Sequence, residues 1–134
     1  MNTIKLSEAR NLHAAFSMLE GYNKVVKDEK VVIPYEFSGK TRWNIAKNLR
    51  ILNVLVTDFN SARDALIKQL SNGSNEIDGT NKELMSSYIK EINDIDAQDV
   101  DVSGILSIKV DDLNLDVNPI PVGLLAAFKD LITD

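Results

Sequence analysis

Apolar residues recur every three or four positions through LRILNVLVTDFNSARDALIKQL, residues 49–70, and the first half of that stretch has few polar ones. This is the period of an α-helix. Extended back to about Thr41, the pattern predicts a helix over 41–70, roughly 45 Å long at about 1.5 Å per residue. Ile45, Leu49, Leu52, Val56, Phe59, Leu66 and Leu70 form a coiled-coil-like seam of about four heptads, interrupted at position 63 by an arginine. Ile51, Val54, Leu55, Ala62 and Ala65 lie beside it, and only Arg50, Asn53, Thr57, Asn60, Asp64 and Lys68 make a continuous polar line. A helix apolar over more than half its circumference needs at least two neighbours.

The rest of the pattern supplies candidates. Ser7 is read as the N-cap of a first helix running to about Glu20, with Leu12, Ala15, Phe16 and Leu19 on one face and Gly21 as its stop. VVKDEKVVIPYEF, residues 25–37, predicts a strand or loose hairpin turning at Asp28-Glu29, with Pro34 keeping part of it off a central position. Ser38 and Gly39 break that pattern and open the long helix. NGSNEIDG, residues 72–79, is a turn-rich loop. Thr80 with Glu83 reads as the capping box of a third helix whose apolar face is Leu84, Tyr88, Ile92 and Ile95, widened by Met85 and Ile89. The short loop favours an antiparallel pair with the long helix. Residues 100–117 alternate apolar and polar, predicting one or two strands with Leu106, Ile108 and Val110 facing one way and Leu113, Leu115 and Val117 following a turn at Asp111-Asp112. Pro121 suits the first turn of a closing helix with Leu124, Leu125, Phe128, Leu131 and Ile132 inward. The sum is an α+β fold in one domain, 1–134: a long antiparallel helix pair, a small β-sheet and short N- and C-terminal helices.

Composition narrows the chemistry. The 134 residues include no cysteine, which removes disulfides, thiol nucleophiles and thiolate metal sites. No apolar run has the length of a signal peptide or a membrane span, so a cytoplasmic protein without membrane contact is expected. The net charge of −5 is uneven: residues 1–70 carry +4 and residues 71–134 carry −9. The two halves are expected to meet, within one chain or between chains, with Lys40, Arg42 or Lys47 pairing the acidic half.

Each local motif has a plain structural reading. SGKT at 38–41 resembles the tail of a phosphate-binding loop, but the first glycine of that motif falls on Pro34, which has no amide proton. EIDG at 76–79 superficially matches a calcium loop, yet alignment on Gly79 puts Ser74 at the first ligand position and Met85 where a bidentate glutamate belongs. His13 is the single histidine, too little for a zinc site without cysteines or for a Ser-His-acid triad. The acidic run DIDAQDVD, residues 94–101, reads as a solvated edge or a partner-binding strip through Asp94, Asp96, Asp99 and Asp101. Lys40, Arg42, Lys47 and Arg50 surround Trp43, with Lys24, Lys27 and Lys30 before them, but a sequence pI near 4.9 opposes general affinity for nucleic acid. Arg63 is either buried with a carboxylate partner or, with Ala62 taking the seam, reaches out at its edge. No catalytic residue, cofactor or metal is expected.

YEFSGKTRWNIAKNLRILNVLVTDFNSARDALIKQL, followed by a glycine-bearing loop, a second helix, alternating residues and the proline-marked IPVGLLAAFKDLI, resembles a set of small tailed-phage and prophage proteins over about residues 35–133. Residues 21–37 depart from that pattern. The resemblance implies a phage or prophage origin, in a bacterial host cell or on a virion, and no reaction. The expected function is a non-enzymatic accessory or assembly protein acting through contacts with itself or with phage or host proteins. It is expected to be a homo-oligomer, with Leu52, Val56, Phe59 and Arg63 on the contacting seam. The alternative is a small acidic inhibitor of a host nucleic-acid enzyme or defence protein, acting through the four aspartates.

Overall fold

The computed structural model describes residues 3–134 and is a mixed α+β fold around one long helix. In chain order, strand β1 (Thr3–Lys5) leads into α1 (Leu6–Ser17), a 3-10 turn (Met18–Glu20) and a hairpin of β2 (Gly21–Val26) and β3 (Glu29–Pro34). The long helix α2 (Gly39–Leu70) and α3 (Lys82–Asp96) follow. Then come β4 (Asp99–Asp101), β5 (Ile108–Lys109), a 3-10 turn (Val110–Leu113), α4 (Val122–Ala127) and β6 (Ile132–Thr133). The strands form three separate two-stranded sheets: β1 with β4 and β2 with β3 antiparallel, β5 with β6 parallel. Among the described residues no helix is long and apolar enough to cross a membrane.

Helix α1 starts earlier than Ser7. Lys5 is extended because it pairs with Asp99 across β1 and β4, so the helix begins directly at the strand's end. The first helical amide, Leu6, donates to the Gln98 carbonyl at 2.9 Å, and the Lys5 amide to Glu8 Oε1 at 3.3 Å, which removes the need for a serine cap. Leu6, Ala9, Leu12, Ala15 and Phe16 form its buried stripe.

The hairpin turns at Lys27-Asp28, one residue before the expected position. Both have positive φ, 52° and 67°, the signature of a two-residue type I′ turn, here built without glycine. Gly21 at its base is required: a Cβ there would lie 2.5 Å from the Ile33 carbonyl oxygen and 2.8 Å from Val32 Cγ1.

Ser38 caps α2, its Oγ accepting from the Thr41 amide at 3.2 Å. Over its 32 residues, about 48 Å, the long helix buries Thr41, Ile45, Asn48, Leu52 and Phe59. Its principal neighbour is α1, not α3. Arg10 lies over Phe59, His13 reaches Asn53, and Phe16 lines a cavity with Ile45 and Leu49, so the two helices run antiparallel. The expected dominance of an α2–α3 pair is corrected, because α3 buries no residue at all. Its cap is Asn81 rather than Thr80, whose amide and hydroxyl are both held by Asp78.

The core is formed by α1, the first two-thirds of α2 and the C-terminal segment, with Phe16 and Phe128 ring to ring at 4.7 Å. Two buried asparagines fix that irregular segment: Asn48 bonds the backbone of Leu106, and Asn118 that of Glu36 and Leu113. The second expected strand does not form. Leu113 is buried but Leu115 and Val117 are exposed, because Asn114 takes the left-handed conformation and turns the chain. The closing helix ends at Ala127; Leu131 and Ile132 do face inward, but not from a helix: Ile132 pairs with Ile108 of β5, and the Leu131 carbonyl just before β6 accepts from the Ile108 amide.

Candidate interaction surfaces

Phe59 is the last buried residue of α2. Above it the Arg10 guanidinium stacks on the ring at 3.7 Å, and Arg10 Nη1 donates to both carboxylate oxygens of Asp96 at 2.7 Å. This Asp96–Arg10–Phe59 stack joins α3, α1 and α2 where the core ends. The seam residues are therefore not equivalent. Leu52 and Phe59, 0% and 3% exposed, are covered by their own chain and are unavailable to a partner, which corrects their expected role. Val56 is half-buried. Arg63, its side chain 38% exposed, sits at the helix edge with Nη2 3.3 Å from the adjacent Asp64, so it is not a buried seam residue.

Beyond Phe59 the cover is thin. Leu66, Ile67 and Leu70 of α2 are half-buried, as are Leu84, Met85, Tyr88, Ile92 and Ile95 of α3, while Ala62, Ala65 and Ile89 are exposed. A cavity of about 360 Å³ opens among Ile67, Ile77, Met85 and Tyr88. The apolar face of α3 is well defined in sequence, yet none of its residues is fully buried. Residues on such a face are covered from one side and open on the other.

The acidic run is engaged within the chain. Asp94 accepts from Lys90, Asp96 from Arg10, and Asp99 pairs with Lys5 across the β1–β4 ladder at 2.8 Å. Asp101 accepts from Ser103, whose side chain and then backbone amide hold the carboxyl below its usual value. The four aspartates thus lie along one short stretch, but each has a local partner. Lys5 and Arg10, which the sequence reading did not single out, supply two of these partners. Nothing in a single sequence marks them except their place beside an apolar helix face.

Within the chain, among the described residues, Lys40, Arg42 and Lys47 make no ion pair with the acidic half. Arg42 donates to the Tyr35 carbonyl and faces the Phe37 ring. Lys40, Lys47 and Arg50 form no ion pair among the described residues, and neither do Lys24, Lys27 and Lys30 of the hairpin. Lys47 Nζ lies 5.8 Å from the centre of the Trp43 ring, itself 57% exposed.

The remaining motifs have structural roles. Ser38 of SGKT is the helix cap. In EIDG, Asp78 accepts from Thr80, first through the hydroxyl and then the amide, which lowers its pKa. His13 Nε2 donates to Asn53 Oδ1 at 2.9 Å, tying α1 to α2. Among the described residues no three His, Cys, Asp or Glu side chains converge as a metal site. Compared with known proteins, the chain matches no family model, no curated protein and no solved structure.

Proposed function

We propose that this is a non-enzymatic accessory or assembly protein that associates with itself through a helical-hairpin arm formed by α2 beyond Phe59 and by α3. The observation that carries this reading is the half-open apolar seam of that arm: Leu66, Ile67, Met85, Tyr88 and Ile92 are apolar yet only half-buried by their own chain. Two such arms packed face to face make a four-helix bundle, the common way for helical hairpins to close an apolar stripe. Each half-exposed side chain that becomes fully buried then adds on the order of 1 kcal/mol. The resemblance of residues 35–133 to small tailed-phage and prophage proteins fits such a role in a bacterial host cell or on a virion. The acidic run supports this reading over an inhibitory one, since its carboxylates already have partners within the chain.

Ile89→Glu tests the arm. Ile89 is 52% exposed and lies beside Met85 and Ile92 on α3, so an isolated chain loses little by the change. The expected result is a smaller assembly with unchanged helix content. Unchanged mass and unchanged unfolding midpoint would count against the arm as the contact.

A further inference from the structure

A second surface differs from the arm in chemistry. Lys40, Trp43, Lys47, Arg50 and Val54 follow one another by three or four residues and so share one stripe of α2, about 21 Å long. All five are exposed, Trp43 at 57% and Val54 at 59%. No carboxylate pairs with the three cations among the described residues. The first turn of α2 carries no acidic residue, so the helix dipole adds to the positive field. A large exposed aromatic ring among cations is the make-up of an interface centre, where Trp and Arg concentrate binding energy.

The same chain presents the complement. Asp111 and Asp116 are exposed and form no ion pair among the described residues, and Leu115, Val117 and Val122 of the same segment are 42%, 55% and 81% exposed. Between Lys109 and Lys129 there is no basic residue. The α2 stripe thus combines basic with exposed apolar side chains, and the 111–122 segment combines acidic with exposed apolar ones.

We propose that the α2 stripe of one copy docks on the 111–122 segment of a second copy. The reading rests on the self-association proposed above and adds a second, electrostatic contact to the apolar one made by the arm. A second copy fits better than a nucleic acid for two reasons. The net charge of −5 repels a polyanion, and phosphates offer nothing to Trp43 and Val54, whereas Leu115, Val117 and Val122 do. With two independent contacts, a chain that pairs through its arm can also join pairs together, which is what an assembly protein requires.

The test uses the whole chain, light scattering, and the emission of Trp43, the single tryptophan. Between about 0.05 M and about 0.5 M salt the assembly mass should fall about twofold or more, because exposed charge pairs are screened while an apolar arm is not. Lys40→Glu/Lys47→Glu/Arg50→Glu and Asp111→Lys/Asp116→Lys should each stay at the high-salt mass even in low salt. Mixed in equal amounts they should regain the large assembly, with Trp43 emission moving to the blue. A wild-type mass that ignores salt, or a mixture that does not recover, overturns the proposal. So does Trp43 emission that responds to added duplex DNA and not to protein concentration, which would assign the stripe to nucleic acid. Failure of the arm is read separately, as a monomer at high salt.

Discussion

Asn48 and Leu106 exchange two hydrogen bonds across 58 residues of chain: Asn48 Nδ2 donates to the Leu106 carbonyl at 3.0 Å, and the Leu106 amide donates to Asn48 Oδ1 at 2.8 Å. A fully buried side-chain amide thereby does for the 102–108 segment what a neighbouring strand does in a sheet. Asn48→Ala leaves both backbone groups of Leu106 without that partner and should lower stability by about 2–4 kcal/mol. Asn48→Asp keeps the shape but loses the donor and buries a charge, so it should be no better. Urea unfolding midpoints decide this, and wild-type stability in Asn48→Ala would show that the clamp contributes little.

The hairpin turn offers a change in the opposite direction. Lys27 and Asp28 both sit at positive φ, a conformation that Asn-Gly adopts with far less strain. Lys27→Asn/Asp28→Gly should therefore protect the β2 and β3 amides from hydrogen exchange, by about 0.5–1 kcal/mol. Gly21→Ala should do the reverse, since its Cβ would meet the Ile33 carbonyl oxygen.

The long helix and the hairpin were legible because their signals are long: a serine cap followed by apolar residues at steps of three and four, and a run of Val and Ile around one turn. Short elements were not. Three residues of β1 or β4 are too few to show alternation, and their pairing is fixed by α1 and α3 arriving at the same end of the core. Alternation at Leu113, Leu115 and Val117 misled for a physical reason. Asn114 turns left-handed and Asn118 binds the backbone of Glu36, so the chain is held by asparagine side chains and not by a ladder. The candidate surface was legible as an apolar seam, but sequence could not say that α1 covers the seam only as far as Phe59. Asn48 and Asn118 carry no pattern at all.

Arg10 is the residue that closes the core beneath the arm. Arg10→Ala removes the stack on Phe59 and leaves Asp96, its side chain 18% exposed, without its partner. Stability should fall by about 1–3 kcal/mol, with the fastest gain in amide exchange in the last two turns of α3. Equal exchange gains across the whole chain would mean that the stack does not anchor α3 specifically.

Tyr35 links the hairpin base to alkaline stability. Burial first, and the neighbouring Tyr22 second, raise its pKa above the ordinary 10.0. The folded state thus favours the neutral phenol, so its contribution is complete below pH 10 and is lost as pH rises from there through the higher folded value. Tyr35→Phe should remove that portion of the alkaline loss and leave the midpoint near neutral pH little changed. An unaltered alkaline profile in Tyr35→Phe would place the loss elsewhere.

The central claim is self-association through the arm, and absolute mass by light scattering after size exclusion, in about 0.5 M salt, tests it most directly. The account predicts a salt-resistant multiple of the 14.9 kDa chain that Ile89→Glu reduces. A monomer at every concentration, with Ile89→Glu indistinguishable from the wild type, would contradict it.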